Sequence, residues 1–285
     1  MATKKVGTRT LAAMKARGEK IVALTAYDHP SARILDACGV DIVLVGDSAA
    51  NVVLGYDSTL PVTMEEMLVL VAAVARGAQR AMVVADLPFM SYQVSTAQAL
   101  ENAGRFVKTA GAEAVKLEGG RRSSPAVEAI VAAGIPVMGH LGLTPQSHLA
   151  FGGFRVQGRE EAAADALVDD ALALEAAGAF AVVLEGMPWT LAQRISERLR
   201  IPTIGIGAGE RCDGQILVLH DMLGYGEGGL TFVKRFAEIE RDVSGAVTRY
   251  CEDVRAGRFP AEEHRFAPGN PKPRARGRGR DEAGG

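Results

Sequence analysis

The 285-residue chain is poor in aromatic side chains, with 9 Phe, 5 Tyr and 1 Trp, so its core must be built from small and branched aliphatics. It has three cysteines, Cys38, Cys212 and Cys251, widely spaced and with no CxxC pair. That spacing excludes a disulfide framework and reads as reduced thiols of a cytoplasmic protein. The longest apolar run, residues 67–75, is well short of the roughly 18 residues that span a bilayer. Lys4 and Lys5 are not followed by an apolar stretch, so no secretory signal peptide is expected. Neither sign of charge is in excess: 32 basic residues face 34 acidic ones, which gives no global field for nucleic acid. His29, His140, His148, His220 and His264 show no zinc-binding spacing. No GxGxxG or GxxxxGK[ST] motif stands at a strand–helix junction.

What is present is a repeat of short apolar runs and amphipathic stretches. Eight runs read as strands: 21–26, 41–47, 81–86, 114–118, 136–141, 179–185, 202–206 and 215–220. Most are continuously apolar, as parallel strands covered on both faces should be. Helical patterns fall between them at 64–76, 95–109, 125–133, 160–177 and 190–199, with Thr63/Glu66 and Ser95/Gln98 as capping boxes. Residues 207–214 leave no room for a helix. The strand count predicts a (β/α)8 TIM barrel, which takes about 250 residues as one domain, rather than an open doubly wound sheet. Residues 8–18 are expected to form a helix closing the barrel bottom, and 231–256 one or two C-terminal helices. Residues 1–266 are then one domain. The tail 267–285, APGNPKPRARGRGRDEAGG, carries five basic and two acidic residues and reads as a disordered, solvated extension. A weak anion or nucleic-acid contact is the alternative there.

The functional argument rests on how the runs end. VLVGDS, VVADLPF, VKLEGG and VVLEGMP place Asp47, Asp86, Glu118 and Glu185 at carboxyl ends of strands, the rim where barrel active sites are built. One such carboxylate reads as a solvated loop residue; four on one rim repel each other unless a cation or raised pKa values neutralise them. Oxygen-only ligands favour Mg²⁺. Lys116 stands two residues before Glu118 and so shares its face of the strand, placed to pair with a carboxylate or an anionic substrate. His140 ends the fifth run, as an active-site donor or as a structural histidine. Gly205, Gly207 and Gly209 read equally as a phosphate-cradling turn, a close backbone approach or a plain tight turn.

Six ordered blocks carry a resemblance over more than four-fifths of the chain. TAYDHPSARILDACGVDIVLVGDSAANVVLGYDSTLPVT, VVADLPFMSY, AVKLEGG, GHLGLTPQS, GGFRVQGR and IGIGAGERCDGQILVLHD together resemble the ketopantoate hydroxymethyltransferases. The resemblance implies a (β/α)8 barrel of the phosphoenolpyruvate-mutase/isocitrate-lyase type with extra terminal helices. It implies transfer of a hydroxymethyl group from 5,10-methylenetetrahydrofolate to 3-methyl-2-oxobutanoate through a Mg²⁺-stabilised enolate, on the way to pantothenate. By position, Asp47, Asp86 and Glu118 match the metal site, Glu118 directly or through water. Asp47, Ser48, Asp86 and Lys116 match the oxoacid site, Glu185 matches the proton acceptor, and His140 and Tyr27 are site neighbours. A cytoplasmic homo-oligomer, a decamer with its C-terminal helices at subunit contacts, is also implied, with no nucleic-acid or membrane partner. A lyase of the same superfamily would call for a rim cysteine in a KKCGH-type context, which is absent. Gly186 stands where the family carries a bulkier residue and leaves room for a looser turn beside Glu185.

Overall fold

The computed structural model describes residues 4–266 apart from 154, 227 and 229; the tail at 267–285 lies outside the described residues. The chain divides into two compact units, Met1–Ala237 and Glu238–Gly285. The first is an eight-stranded closed parallel barrel in sequential order. Its strands are β1 (Ile21–Thr25), β2 (Ile42–Val45), β3 (Met82–Asp86), β4 (Ala114–Glu118), β5 (Val137–Gly142), β6 (Ala181–Glu185), β7 (Thr203–Ile206) and β8 (Gly214–Leu217). β1 pairs with both β2 and β8, so the ring has no free edge.

Helices alternate with the strands. The first, α1 (Thr8–Arg17), precedes β1; α2 (His29–Ala37), α3 (Ala49–Val52), α4 (Met64–Gly77), α5 (Thr96–Arg105) and α6 (Ser124–Ala132) follow in turn. After β5 come α7 (His148–Phe151) and α8 (Glu161–Ala176), then α9 (Trp189–Arg198) after β6 and α10 (Leu219–Leu223) after β8. Thr63 and Glu66 form the expected reciprocal cap of α4. Ser95 accepts from the Gln98 backbone N–H, but the Gln98 side chain turns to the Val94 N–H and the Met90 carbonyl, so that box is only half made. The helix at α2 is absent from the periodicity reading, although Asp28 caps it at 2.7 Å to the Ser31 N–H and Pro30 stands in its first turn.

Period-two alternation divides the strands' apolar residues between two cores. Val43, Val45, Val83, Val115, Leu117 and Val182 face outward and pack with the helices. Ile21, Ile42, Met82, Ala114, Met138 and Ala181 face inward and form a separate cluster with Val6 and Leu11. Leu11 of α1 is fully buried in that cluster, so α1 plugs the barrel's amino end as expected.

β7 passes to β8 without a helix. The glycines here are required by close approach: Gly207 has φ +58°, and a Cβ on it would stand 3.0 Å from the Phe232 ring. Gly209, at φ +81°, lies against the Trp189 side chain in the same way. Close side-chain packing accounts for both of these glycines. The second unit contains α11 (Ile239–Arg255), which has no buried residue; residues 231–238 ahead of it are not helical. Among the described residues no helix is long and apolar enough to cross a membrane.

Candidate active site

Inward alternation continues past the apolar layers to the barrel's carboxyl end. Met82 and Val84 are followed on the same face of β3 by Asp86, Ala114 on β4 by Lys116 and Glu118, Met138 on β5 by His140, and Ala181 and Val183 on β6 by Glu185. Asp47 and Ser48 enter from the turn after β2. Asp47, Ser48, Asp86, Lys116, Glu118, His140 and Glu185 line one cavity of about 300 Å³. Its opposite wall is apolar, with Ile206, Ile216, Leu217, Leu230 and Phe232. Asp47, Asp86, Lys116, Glu118 and His140 are each at most 5 % exposed; Glu185 is half-buried.

Strand register sets the contacts. Asp86 is the β-partner of Lys116, and the ammonium donates to both carboxylate oxygens at 2.8 and 2.7 Å. Glu118 is the β-partner of His140, and His140 stands 3.4 Å from Glu118 Oε1 and 3.2 Å from Glu185 Oε2. Neither approach has hydrogen-bond geometry: both ring nitrogens and Glu118 Oε1 are left without a hydrogen-bond partner. The contact is therefore electrostatic. Burial, the largest influence on the His140 ring, and Lys116 both favour its neutral form, but Glu118 and Glu185 outweigh them and raise its pKa to about 9. Burial pushes the Asp47 carboxyl up to about 8, with Asp86 and Glu118 adding repulsion against the opposing pull of Lys116 and Gln146. Lys116 is held cationic, well above its ordinary value, because its carboxylate neighbours overcome the burial that opposes them.

Two further residues organise the cluster and escaped the sequence reading. Gln146, buried beyond β5, donates its side-chain amide to Asp47 Oδ2 at 2.9 Å and to the Leu87 carbonyl at 3.0 Å. Its backbone N–H donates to Glu118 Oε2 at 3.1 Å. The Tyr92 hydroxyl fixes the amide's orientation by donating to Gln146 Oε1 at 2.8 Å, and it accepts from the Glu118 N–H at 3.2 Å. Both lie in resemblance blocks, yet a lone buried Gln or Tyr carries no spacing that announces it. Tyr27 does not line the cavity; its hydroxyl meets Ser48 Oγ at 2.8 Å from behind. The turn at Gly186 is tied, not loose: its N–H donates to the Ile206 carbonyl at 3.0 Å and its carbonyl accepts from the Gln157 N–H at 2.9 Å.

Among the described residues no three His, Cys, Asp or Glu side chains are gathered closely enough to hold a metal, so a site of three direct carboxylate ligands is not preassembled. Mg²⁺ takes one or two carboxylates and keeps water in its other positions, which Asp47 and Asp86 with an outer Glu118 would satisfy. Charge agrees. Lys116 and protonated His140 offset two of the carboxylates Asp47, Asp86, Glu118 and Glu185; the two charges that remain when Asp47 ionises equal those of one divalent cation. The orphaned Glu118 Oε1 fits an acceptor awaiting a donor. The residues present fit Mg²⁺.

Residues 5–262 match the family model described as ketopantoate hydroxymethyltransferase. The 3-methyl-2-oxobutanoate hydroxymethyltransferase of Syntrophus aciditrophicus is 57 % identical over 264 residues, 92 % of this chain and 97 % of that protein. Among solved structures, a phosphonopyruvate hydrolase complex with oxalate and Mg²⁺ aligns at TM-score 0.59 and 15 % identity, covering 91 % of this chain and 93 % of that one. A 2,3-dimethylmalate lyase of the PEP mutase/isocitrate lyase superfamily aligns at TM-score 0.58 and 16 % identity, covering 94 % and 91 %. At that identity the two structures speak for the fold alone, a closed (β/α)8 barrel.

Proposed function

Because the chain belongs to the ketopantoate hydroxymethyltransferase family, we propose that it moves a hydroxymethyl group from 5,10-methylenetetrahydrofolate to 3-methyl-2-oxobutanoate. The products are 2-dehydropantoate and tetrahydrofolate, in the route to pantothenate. The observation that carries this reading is one cavity in which Lys116, Asp86, Asp47 and Glu118 face Glu185 across His140.

The acceptor must lose its single C3 proton, which is hindered and only weakly acidic. Asp47 and Asp86, with Glu118 outside them, would hold Mg²⁺, which supplies Lewis-acid charge at the oxoacid's oxygens when bound. Lys116, whose ammonium sits on Asp86, and Ser48 orient the substrate's carboxylate end. Glu185 stands on another strand, outside that cluster, and accepts the C3 proton. The carbon nucleophile then forms its new bond to the donor's methylene carbon. One of that carbon's two C–N bonds breaks as the new bond forms. Water then replaces the other nitrogen and supplies the oxygen of the product's hydroxyl, and the two folate nitrogens leave carrying the C3 proton and one proton of that water. His140, cationic at neutral pH, stands 3.2 Å from Glu185 Oε2 and orients the base by charge. The apolar wall of Ile206, Ile216 and Leu217 suits the substrate's isopropyl group and excludes water from the nucleophile. The same reading carries a cytoplasmic homodecamer, to be checked by sedimentation.

The test is product formation followed by NMR with both substrates present, with Mg²⁺ and with a chelator. Magnesium-dependent appearance of 2-dehydropantoate is expected; turnover that a chelator leaves untouched contradicts the metal role, and no turnover with any reduced folate contradicts the donor.

A further inference from the structure

His220 and Asp221 end the last resemblance block and stand at the start of α10, yet the chemistry above uses neither. Asp221 lines the catalytic cavity and also a second cavity of about 440 Å³; the two share Asn51, Val52, Asp221 and Leu230 and are therefore contiguous. The Asp221 carboxylate is half-buried and accepts no hydrogen bond from any described residue, while Arg235 of the second cavity acts on it only through space. Asn51, on the same shared boundary, donates its amide N–H to the Tyr56 carbonyl at 2.9 Å, which leaves its own carbonyl oxygen as an acceptor. The ring of His220 is sandwiched between Tyr27 and Tyr225, at centroid distances of 5.5 and 5.3 Å. Its pKa is lowered by burial, so this wall is an uncharged aromatic stack.

A half-buried carboxylate with no donor is a vacancy for N–H groups, and a second acceptor next to it selects a ligand edge rich in them. The walls at Val52, Leu230 and Val233 are apolar and suit the faces of a flat ring. We infer that the second cavity binds the pteridine ring of the one-carbon donor, with Asp221 accepting from its amino and ring N–H groups and Asn51 accepting beside it. This rests on the reading that the donor is a reduced folate. The shared boundary then brings the donor's reactive carbon to the oxoacid in the first cavity, while Asp221 itself stays clear of the reacting atoms.

The test is Asp221→Ala, with Asp221→Asn as a variant of unchanged volume. The KM for 5,10-methylenetetrahydrofolate and the Kd for tetrahydrofolate, measured by calorimetry, should each rise about 10- to 100-fold, the range for losing a hydrogen bond to a charged group. The KM for the oxoacid should move less than about twofold by the same reasoning. Deuteration of the oxoacid's C3 in D₂O needs no donor and reports whether each variant retains an intact first cavity. Unchanged donor KM and tetrahydrofolate Kd in both variants would overturn the inference, as would a rise confined to the oxoacid KM. Failure of the wild-type protein to bind tetrahydrofolate would instead overturn the reading beneath it.

Discussion

Climbing the inner face of β3 or β4 two residues at a time, the side chains pass from Met82 and Val84 to Asp86, and from Ala114 to Lys116 and Glu118. The two ends of the barrel interior are built by the same strands and are almost equally closed to water. At the amino end the strands meet Leu11 and Val6 in a wholly apolar layer. At the carboxyl end they enclose Asp47, Asp86, Lys116, Glu118 and His140 at similar burial. Burial of apolar groups stabilises, at roughly 25 cal/mol per Å². Burial of ionised groups is costly and persists only where every charge has a partner or awaits one. One end therefore holds the fold together, and the other is held in place by it.

That division can be broken from either side. Lys116→Met strands Asp86 as a buried, unpaired charge and should destabilise the metal-free protein by about 3–5 kcal/mol, with turnover lost. Adding Asp86→Asn should restore most of the stability and none of the activity, as read by urea unfolding and product NMR. Leu11→Ala at the opposite end should cost about 2–5 kcal/mol through the cavity it leaves, while kcat per folded molecule stays within about twofold. A large activity loss in that variant would show that the two ends are coupled. Tyr92→Phe removes the donor to Gln146 and the acceptor of the Glu118 N–H; it should cost about 1–3 kcal/mol and weaken Mg²⁺ binding measured by calorimetry.

The smallest expected effect is a pH slope. The folded protein keeps a proton on Asp47 up to about 8, against an ordinary value of 3.8, so the native state binds more protons than the unfolded chain across that window. Stability of the metal-free protein should fall as pH rises through it, by at most about 1.4 kcal/mol per unit. His140, raised from 6.5 to about 9, contributes stability that is full below 6.5 and lost through 9. Melting curves between pH 5 and 6.5 isolate Asp47: the slope there should vanish in Asp47→Asn and flatten in wild type with Mg²⁺.

The barrel was legible because its strands are continuous apolar runs whose carboxyl ends switch to Asp or Glu, and period two then dictates which side chains share the interior. Lys116 and Glu118 could be placed on one face from spacing alone. The α2 helix was harder, because its nine residues fit between two closely spaced strand runs and bury only Ala32 and Leu35. Gln146 and Tyr92 were not legible at all. Their roles arise from a loop beyond β5 folding back over residues from β2, β3 and β4, and no local pattern encodes that return. The second cavity shares this origin, since Asn51 and Asp221 come to line one space only because the ring closes.

The central claim is that the charged end of the interior is a proton-abstraction site with Glu185 as the base. Incubation with 3-methyl-2-oxobutanoate and Mg²⁺ in D₂O, without folate, tests it most directly through C3 deuteration followed by NMR. The account predicts metal-dependent exchange by wild type, slowed about 10²- to 10⁴-fold in Glu185→Gln, with the melting temperature little changed. Exchange at the wild-type rate in that variant would contradict it.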